Sequence, residues 1–329
     1  MRHDRVSVVI PMYNSSRYIW DTLESVRHQT YKHCEIIVVD DGSNDGSREI
    51  VGKYIREHPG LGKLLCHPGN INKGTSSSRN LGIKNADGKL FCFLDSDDLW
   101  DPDYLSNHIE IFTQNTDVSM VYGPAKLWYM NRNVGADCIQ NLGIRTDCFV
   151  DPFALFRKFL DGTADTPSPS GVMFTRKALD KIGGWEEDFP GMYDDQVLYS
   201  KLLLHGLSVY VTDKCLYRYR QHDDSLCGGA RKRNSHAEAR EKYLKWLEKY
   251  LMQQGKSNNV TNSIIAEQLW YLERHRELES SVSRLWCVKK IEAVCSLGRF
   301  LKKQDNYPVR IRLCWNIFHR NFEKIFAKR

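Results

Sequence analysis

Residues 91–103 read Phe91-Cys92-Phe93-Leu94-Asp95-Ser96-Asp97-Asp98-Leu99-Trp100-Asp101-Pro102-Asp103. An apolar run of strand character stops at Asp95, and three carboxylates follow almost at once, at Asp95, Asp97 and Asp98. Acids this close at the end of a buried strand repel one another and resist desolvation. The cluster is stable chiefly when a positive charge, such as a divalent cation, sits among them. Mg²⁺ and Mn²⁺ take carboxylate oxygens and commonly carry substrate phosphates among their remaining ligands. The competing reading is an acidic turn that caps the next helix, for which Asp101-Pro102-Asp103 is a good amino-terminal signal.

The segments upstream repeat the pattern of strand followed by polar loop. Val6 to Ile10 is a short β-branched run that ends at Pro11-Met12-Tyr13-Asn14, and Ile36 to Val39 is another that ends at Asp40-Asp41-Gly42-Ser43. Both read as buried parallel strands. Ile19, Leu23 and Val26 recur at helical spacing between them, as do Ile50, Val51, Tyr54 and Ile55 after the second loop. A third run, Lys63 to Cys66, precedes Asn72-Lys73-Gly74 and a segment from Ser76 to Lys84. In an open α/β sheet the ligand lies in the crevice at the carboxyl ends of the strands, where each of these polar loops falls. No dinucleotide fingerprint follows the first strand and no Walker-type phosphate loop occurs, so the site is nucleotide-like but built from carboxylates and a metal.

Five ordered motifs now carry a resemblance: Pro11-Met12-Tyr13-Asn14, Asp40-Asp41-Gly42-Ser43, Asn72-Lys73-Gly74 with Arg79-Asn80, Asp95-Ser96-Asp97-Asp98, and Asp194-Asp195. Over roughly residues 5 to 225 the chain resembles family 2 glycosyltransferases. The resemblance implies an α/β protein of GT-A fold, a Rossmann-like, mostly parallel sheet flanked by helices. It further implies transfer of a sugar, with inversion, from a nucleotide-diphosphate sugar, a UDP-sugar being favoured, to a hydroxyl of a glycan or lipid-linked glycan in cell-surface polysaccharide synthesis. We expect a catalytic domain over residues 1–234, with a nucleotide-sugar half to about 110 and an acceptor half beyond, and a helical basic extension over 235–329.

By the same resemblance, Asp41 accepts from the nucleotide base, Pro11 and Tyr13 with Asn14 shape the face against which the base lies, and Lys73 and Arg79 face the diphosphate or order the loop beside it. A structural ion-pair role for Arg79 stays open. Asp97 is the metal ligand, for Mn²⁺ or Mg²⁺, while Asp95 with Ser96 reaches the ribose or a metal-bound water, and Asp98 is left as support or helix cap. Near the end of the resemblance, Tyr217-Arg218-Tyr219-Arg220-Gln221-His222 places Arg220 at the donor phosphates and His222 as a metal or phosphate contact.

The acceptor half has its own signals. Asp161 to Gly171, rich in Thr, Pro and Ser, leads into a short strand at Val172-Met173-Phe174. An acidic loop, Gly183 to Phe189, then precedes Tyr193-Asp194-Asp195, after which Val197, Leu198, Lys201 and Leu202 read as a helix. A carboxylate at a helix start is ordinarily a poor base, but beside a second acid its proton affinity rises. One of the Asp194-Asp195 pair is therefore a credible general base, and the resemblance selects Asp195. Trp185 either stacks on an acceptor sugar or anchors its loop.

Beyond about Ser235 the composition changes. Leu244, Trp246, Leu247, Tyr250 and Leu251 lie among charges in the pattern of an amphipathic helix. Residues 284–329 carry twelve Lys or Arg against Glu292, Asp305 and Glu323, a balance of +9 that leaves −3 for the rest of a chain of net charge +6. Aromatic and aliphatic residues such as Trp286, Phe300, Trp315 and Phe318 interleave with these cations, as suits a helix on an anionic bilayer surface. A helical cap or dimer contact with a solvated basic face is the equal alternative. No nucleic-acid partner is expected, since no recognised binding motif accompanies the charge.

The 329 residues suffice for one large domain and an extension. Met1 to Asp4 enters the first strand almost at once and no apolar run approaches the ~20 residues that span a bilayer, so we expect a cytoplasmic protein without a leader, peripheral at the inner face of the membrane. Ten scattered cysteines without paired spacing read as reduced thiols. Two rival functions remain, a sugar-phosphate nucleotidyltransferase, which lacks its Gly-rich loop after Ile10, and a non-catalytic sugar-nucleotide-binding protein.

Overall fold

A computed structural model describes residues 4–130, 135–222 and 236–285. The first half alternates strand and helix: β1 (Val6–Met12), α1 (Ile19–Arg27), β2 (Cys34–Asp40), α2 (Ser47–Glu57), β3 (Gly62–Cys66), α3 (Thr75–Lys84) and β4 (Leu90–Phe93). These strands lie side by side in the order β3-β2-β1-β4, all parallel, with Val8 of β1 in register with Ile36 on one side and Cys92 on the other. Their β-branched runs are buried throughout β1, as the two covered faces of a parallel sheet require. Val8 and Ile10 pack in one cluster with Ile19, Leu23 and Val26 of α1 and Val51 and Tyr54 of α2. On the opposite face α3 presses so closely on β1 that a Cβ at Gly82 would lie 2.3 Å from Val9.

Beyond β4 the sheet changes direction. β10 (Val172–Thr175) joins β4 antiparallel, and β6 (Met120–Tyr122), β11 (Val209–Val211) and β9 (Cys148–Val150) extend the sheet from there. A second small sheet has the order β5 (Leu99–Trp100), β12 (Tyr217–Gln221), β7 (Ala125–Tyr129) and β8 (Cys138–Ile139). Its pairing of Tyr217 with Trp100 and Arg218 with Leu99 brings Tyr217–Gln221 back to the loop that follows β4.

The remaining helices are α4 (Tyr104–Gln114), α5 (Pro152–Asp161), α6 (Arg176–Ile182), α7 (Asp194–Leu204), α8 (His236–Gln253) and α9 (Asn259–Leu285). Asp103 stands at the start of α4, where the sequence places a helix signal. By contacts the chain divides into two compact units, Met1–Ile265 and Ala266–Arg329. In the first, α8 packs on α7, with Leu244 and Leu247 buried. Of the second, only the remainder of α9 is described. The domain boundary expected at 234–235 and the basic stretch beyond 285 lie outside the described residues. No described helix is long and apolar enough to cross a membrane.

Candidate active site

The loops at the carboxyl ends of β1 to β4 knit to one another through short polar side chains. After β1, the amide of Asn14 donates to Ser43 Oγ at 3.0 Å and that of Ser15 to Ser47 Oγ at 2.8 Å. Asn14 returns the contact by accepting from the amide of Asn44 at 2.9 Å, a grip its left-handed backbone (φ 50°) permits. Pro11 is buried within β1, while the ring of Tyr13 is 52% exposed at the mouth of the crevice. The Asp41 carboxylate accepts from the amides of Lys73 (2.7 Å) and Gly74 (2.8 Å), so it fixes the loop before α3. Gly74 is needed there. Its φ is +87° and a Cβ would meet Pro190 at 2.4 Å, which locks this loop against the acceptor half. The Lys73 side chain is exposed beside it.

The loop after β4 is held from three directions. Ser96 Oγ lies 2.6 Å from Ser15 Oγ, the Asp95 amide donates to Ser170 Oγ at 3.0 Å, and Asp98 Oδ1 accepts from the amide of Arg220 at 2.9 Å. Asp98 is wholly buried, and burial, reinforced by Asp97 and Asp95, pushes its carboxyl well above the ordinary range. It is a support, as the sequence allowed. Asp97 remains 26% exposed, and its Oδ2 lies 2.9 Å from His222 Nε2. The two candidate metal ligands, 125 residues apart in the chain, are thus brought together by the pairing of β5 with β12. The His222 ring rests on Tyr18, with centroids 4.7 Å apart.

Arg79 occupies the centre. Its Nη1 donates to Asp194 at 2.6 Å and its Nη2 to Asp95 at 2.8 Å, and its guanidinium lies 4.2 Å from the ring centre of Trp185. The side chain is only 3% exposed. This corrects the expectation that Arg79 faces the diphosphate: the open alternative, a structural ion pair, is what the fold builds, because the buried Asp194 and the partly exposed Asp95 both place a carboxylate against its guanidinium. Arg220 needs the same correction. It too is 3% exposed, held between Tyr18 (4.8 Å) and Trp128 (4.5 Å), with Nε donating to the Asp97 carbonyl at 2.6 Å, so it buttresses the acidic loop rather than facing a phosphate. Trp185, at 2% exposure, meets Phe93 edge to face at 5.0 Å. It is the loop anchor and offers no free face to an acceptor sugar.

Asp194 and Asp195 open α7 directly after Tyr193, whose φ of 64° is unusual for an aromatic residue. Asp194 is saturated: it accepts from Arg79, from Thr75 Oγ1 at 2.9 Å and from the amide of Asp195 at 2.9 Å. Asp195 is half-buried and takes the amide of Gln196 at 2.7 Å. Burial and then the adjacent Asp194 charge raise its pKa to about 7, against the smaller pull of Arg79. Two neighbouring acids thus sit in different settings, one fixed in an ion-pair network and one whose carboxyl burial and its neighbour's charge push upward.

Several residues of this site went unread in the sequence. Thr75 holds Asp194, Ser76 and Ser77 bond Phe189 O (2.6 Å) and Glu187 (2.9 Å), and Tyr18 carries both Arg220 and His222. The polar run Thr75-Ser76-Ser77-Ser78 at a helix start was an available signal for the first three, since hydroxyls without a solvent role need partners. Nothing in the sequence marks Tyr18.

A profile of glycosyl transferase family 2 matches residues 7–183, more than half the chain. The chain belongs to glycosyl transferase family 2. Among curated relatives, an uncharacterized glycosyltransferase of Rickettsia typhi is 30% identical over 221 residues, which span 66% of this chain and 64% of that protein. The UDP-Glc:α-D-GlcNAc-diphosphoundecaprenol β-1,3-glucosyltransferase WfaP of Escherichia coli is 40% identical over 104 residues, 32% of this chain and 39% of that one. The match thus spans under two thirds of either relative. Among solved structures, S. aureus TarS in complex with UDP-GlcNAc superposes with a TM-score of 0.63 at 22% identity, covering 91% of this chain and 81% of that one. The mannosyltransferase PcManGT from Pyrobaculum calidifontis, in complex with GDP-Man and Mn²⁺, gives 0.60 at 18% identity over 99% of this chain and 88% of that one. These likenesses establish the GT-A fold for this family 2 glycosyltransferase domain.

Proposed function

We propose that this family 2 glycosyltransferase moves a sugar, with inversion, from a nucleotide-diphosphate sugar, a UDP-sugar in the first instance, to a hydroxyl of a glycan or lipid-linked glycan. The observation that carries the reading is the division of labour at the start of α7, where Asp194 is neutralised by Arg79 and Asp195 is left with a pKa of about 7. A group of that strength is matched to removing a proton from a hydroxyl at neutral pH. Asp195 accepts the acceptor's proton as its oxygen attacks the anomeric carbon, and the bond to the diphosphate breaks on the opposite face. Arg79 holds Asp95 and Asp194, and so fixes the distance between the donor loop and the base. Asp41, Asn14, Pro11 and Tyr13 frame the nucleotide, with Lys73 at the rim and Ser96 and Asp95 beneath.

Asp97 and His222 suit a divalent cation such as Mn²⁺ or Mg²⁺. Their donor atoms converge at 2.9 Å, and the exposed side of Asp97 leaves room for water and phosphate ligands. When bound, such a cation stabilises the charge that grows on the leaving diphosphate. The Mn²⁺ of PcManGT, the UDP-GlcNAc of TarS and the lipid diphosphate in the name of WfaP support the donor, metal and acceptor classes. Peripheral action at a membrane rests on the charge of residues 284–329.

The test is a screen of UDP- and GDP-sugars for release of the nucleoside diphosphate, with Mn²⁺, with Mg²⁺ and with chelator. Metal-dependent release from one donor that Asp195→Asn abolishes is the expected result. Binding of nucleotide without release from any donor would return the protein to the class of sugar-nucleotide sensors.

A further inference from the structure

The first turn of α7 is gripped from outside the family match, which ends at residue 183. Arg240 and Tyr243, three residues apart on one face of α8, both reach it. Arg240 Nη1 donates to Gln196 Oε1 at 2.9 Å and its Nη2 to the carbonyl of Leu160, in the last turn of α5, at 2.7 Å. The same guanidinium lies over the rings of Tyr193 (5.7 Å) and Tyr243 (5.2 Å), which stack on each other at 5.6 Å. The Tyr243 hydroxyl is 2.7 Å from Ser200 Oγ, one further turn along α7.

These contacts bracket the carboxylate of Asp195. The residue before the acid pair, Tyr193, has a backbone conformation that aromatic residues rarely adopt, which only surrounding structure can enforce. The residue after it, Gln196, gives its amide to Asp195 Oδ1 at 2.7 Å while its side chain is tied to Arg240. Through these bonds Arg240 fixes the residues on both sides of the proposed base.

We propose that Arg240 is a positioning residue for sugar transfer, acting on Asp195 through Gln196 and Tyr193, so that α8 is a working part of the catalytic unit. The inference rests on the reading of Asp195 as the general base. A helix that only covered apolar surface needs Leu244 and Leu247, both buried, but not a guanidinium that divides its bonds between α5 and the turn carrying the base.

The experiment compares full-length Arg240→Met, which keeps the length and apolar stem of the side chain, with Arg240→Lys and Asp195→Asn. The donor is the nucleotide sugar identified in the screen above, and nucleoside diphosphate release is followed. Arg240→Met is expected to lower kcat by at least about 10-fold, because small misplacements of a reacting group cost this much or more, with the donor KM and Tm held close to wild type. Arg240→Lys, able to reach one partner, recovers part of kcat. Amide hydrogen exchange, which needs no substrate, is expected to quicken in Arg240→Met over residues 193–197 and not elsewhere. Unchanged kcat, unchanged exchange, or a general loss of Tm with kcat and KM falling together overturns the inference. If Asp195→Asn is inactive while Arg240→Met is fully active, only this inference fails; if Asp195→Asn is active, the base assignment fails first.

Discussion

Arg79 and Asp194 meet at 2.6 Å across 115 residues of chain, and the same guanidinium holds Asp95 at 2.8 Å. The loop after β4 and the turn that carries the proposed base are therefore parts of one ion-pair network. Electrostatic cause runs both ways in it: the carboxylates raise the Arg79 pKa, and Arg79 restrains that of Asp195.

Arg79→Met should destabilise the fold by about 3–5 kcal/mol, since removal of one partner strands buried charge. Calorimetric Tm measures this. In whatever fraction folds, the pKa of Asp195 rises further, so the acidic limb of the rate profile moves to higher pH. An unchanged Tm would show that Asp95 and Asp194 find solvent or another cation.

The pH dependence has a definite sign. Asp195 must be ionised to accept a proton, so kcat falls as pH drops through about 7. Because the folded-state pKa lies above the ordinary carboxyl value, the proton stabilises the fold. Stability attributable to this group is therefore greatest at acid pH and declines as pH rises from about 4 to about 7. Asp195→Asn should lose roughly 10²- to 10⁴-fold in rate, and above pH 7 its Tm should match or exceed that of wild type. Rate profiles and thermal melts from pH 5 to 9 check both; an acidic limb that survives in Asp195→Asn assigns it to another group.

Asp97→Asn should remove metal-stimulated transfer without lowering Tm, because it takes charge from a partly exposed pair and leaves volume unchanged. His222→Gln should weaken the apparent affinity for Mn²⁺ more than it lowers the rate at saturating metal. Nucleoside diphosphate release across a Mn²⁺ titration distinguishes the two. Wild-type metal stimulation in Asp97→Asn would take this residue out of the metal site.

Trp185→Ala should cost about 3–5 kcal/mol of stability, the usual penalty for deleting a buried indole, because its ring fills the space between Phe93 and Arg79. Urea denaturation reads the loss. An acceptor-stacking role would instead leave the midpoint alone and raise only the acceptor KM.

The parallel half of the fold was legible because its strands are continuous β-branched runs that stop at polar loops. Val6 to Ile10 and Ile36 to Val39 lie within β1 and β2, and the expected helix after Asp195 is α7. The acidic loop was legible for the same local reason, since Asp95 interrupts an apolar strand. What escaped was tertiary pairing. Whether Arg79 faces a phosphate depends on its ion pair with Asp194, and whether Arg220 does depends on its bond to the Asp97 carbonyl, and no short-range pattern reports partners more than 100 residues away. Trp185 was ambiguous for a related reason: an indole beside glycines and acids looks alike whether the loop folds its ring inward or outward. Arg240 lies beyond every motif, and only its contacts give it meaning.

The pairing of β5 with β12 also has a consequence for synthesis of the chain. Asp97 and His222 are 125 positions apart, and their contact closes only when the short strand Tyr217–Gln221 docks beside Leu99–Trp100. Contacts of such long sequence separation carry a loop-closure cost and are made late. A nascent chain that has emerged only through β5 contains the segments of the parallel strands and the acidic loop but lacks His222 to complete the pair. Competence for the proposed cation therefore arrives abruptly, near the end of synthesis of the catalytic region, rather than growing with the sheet.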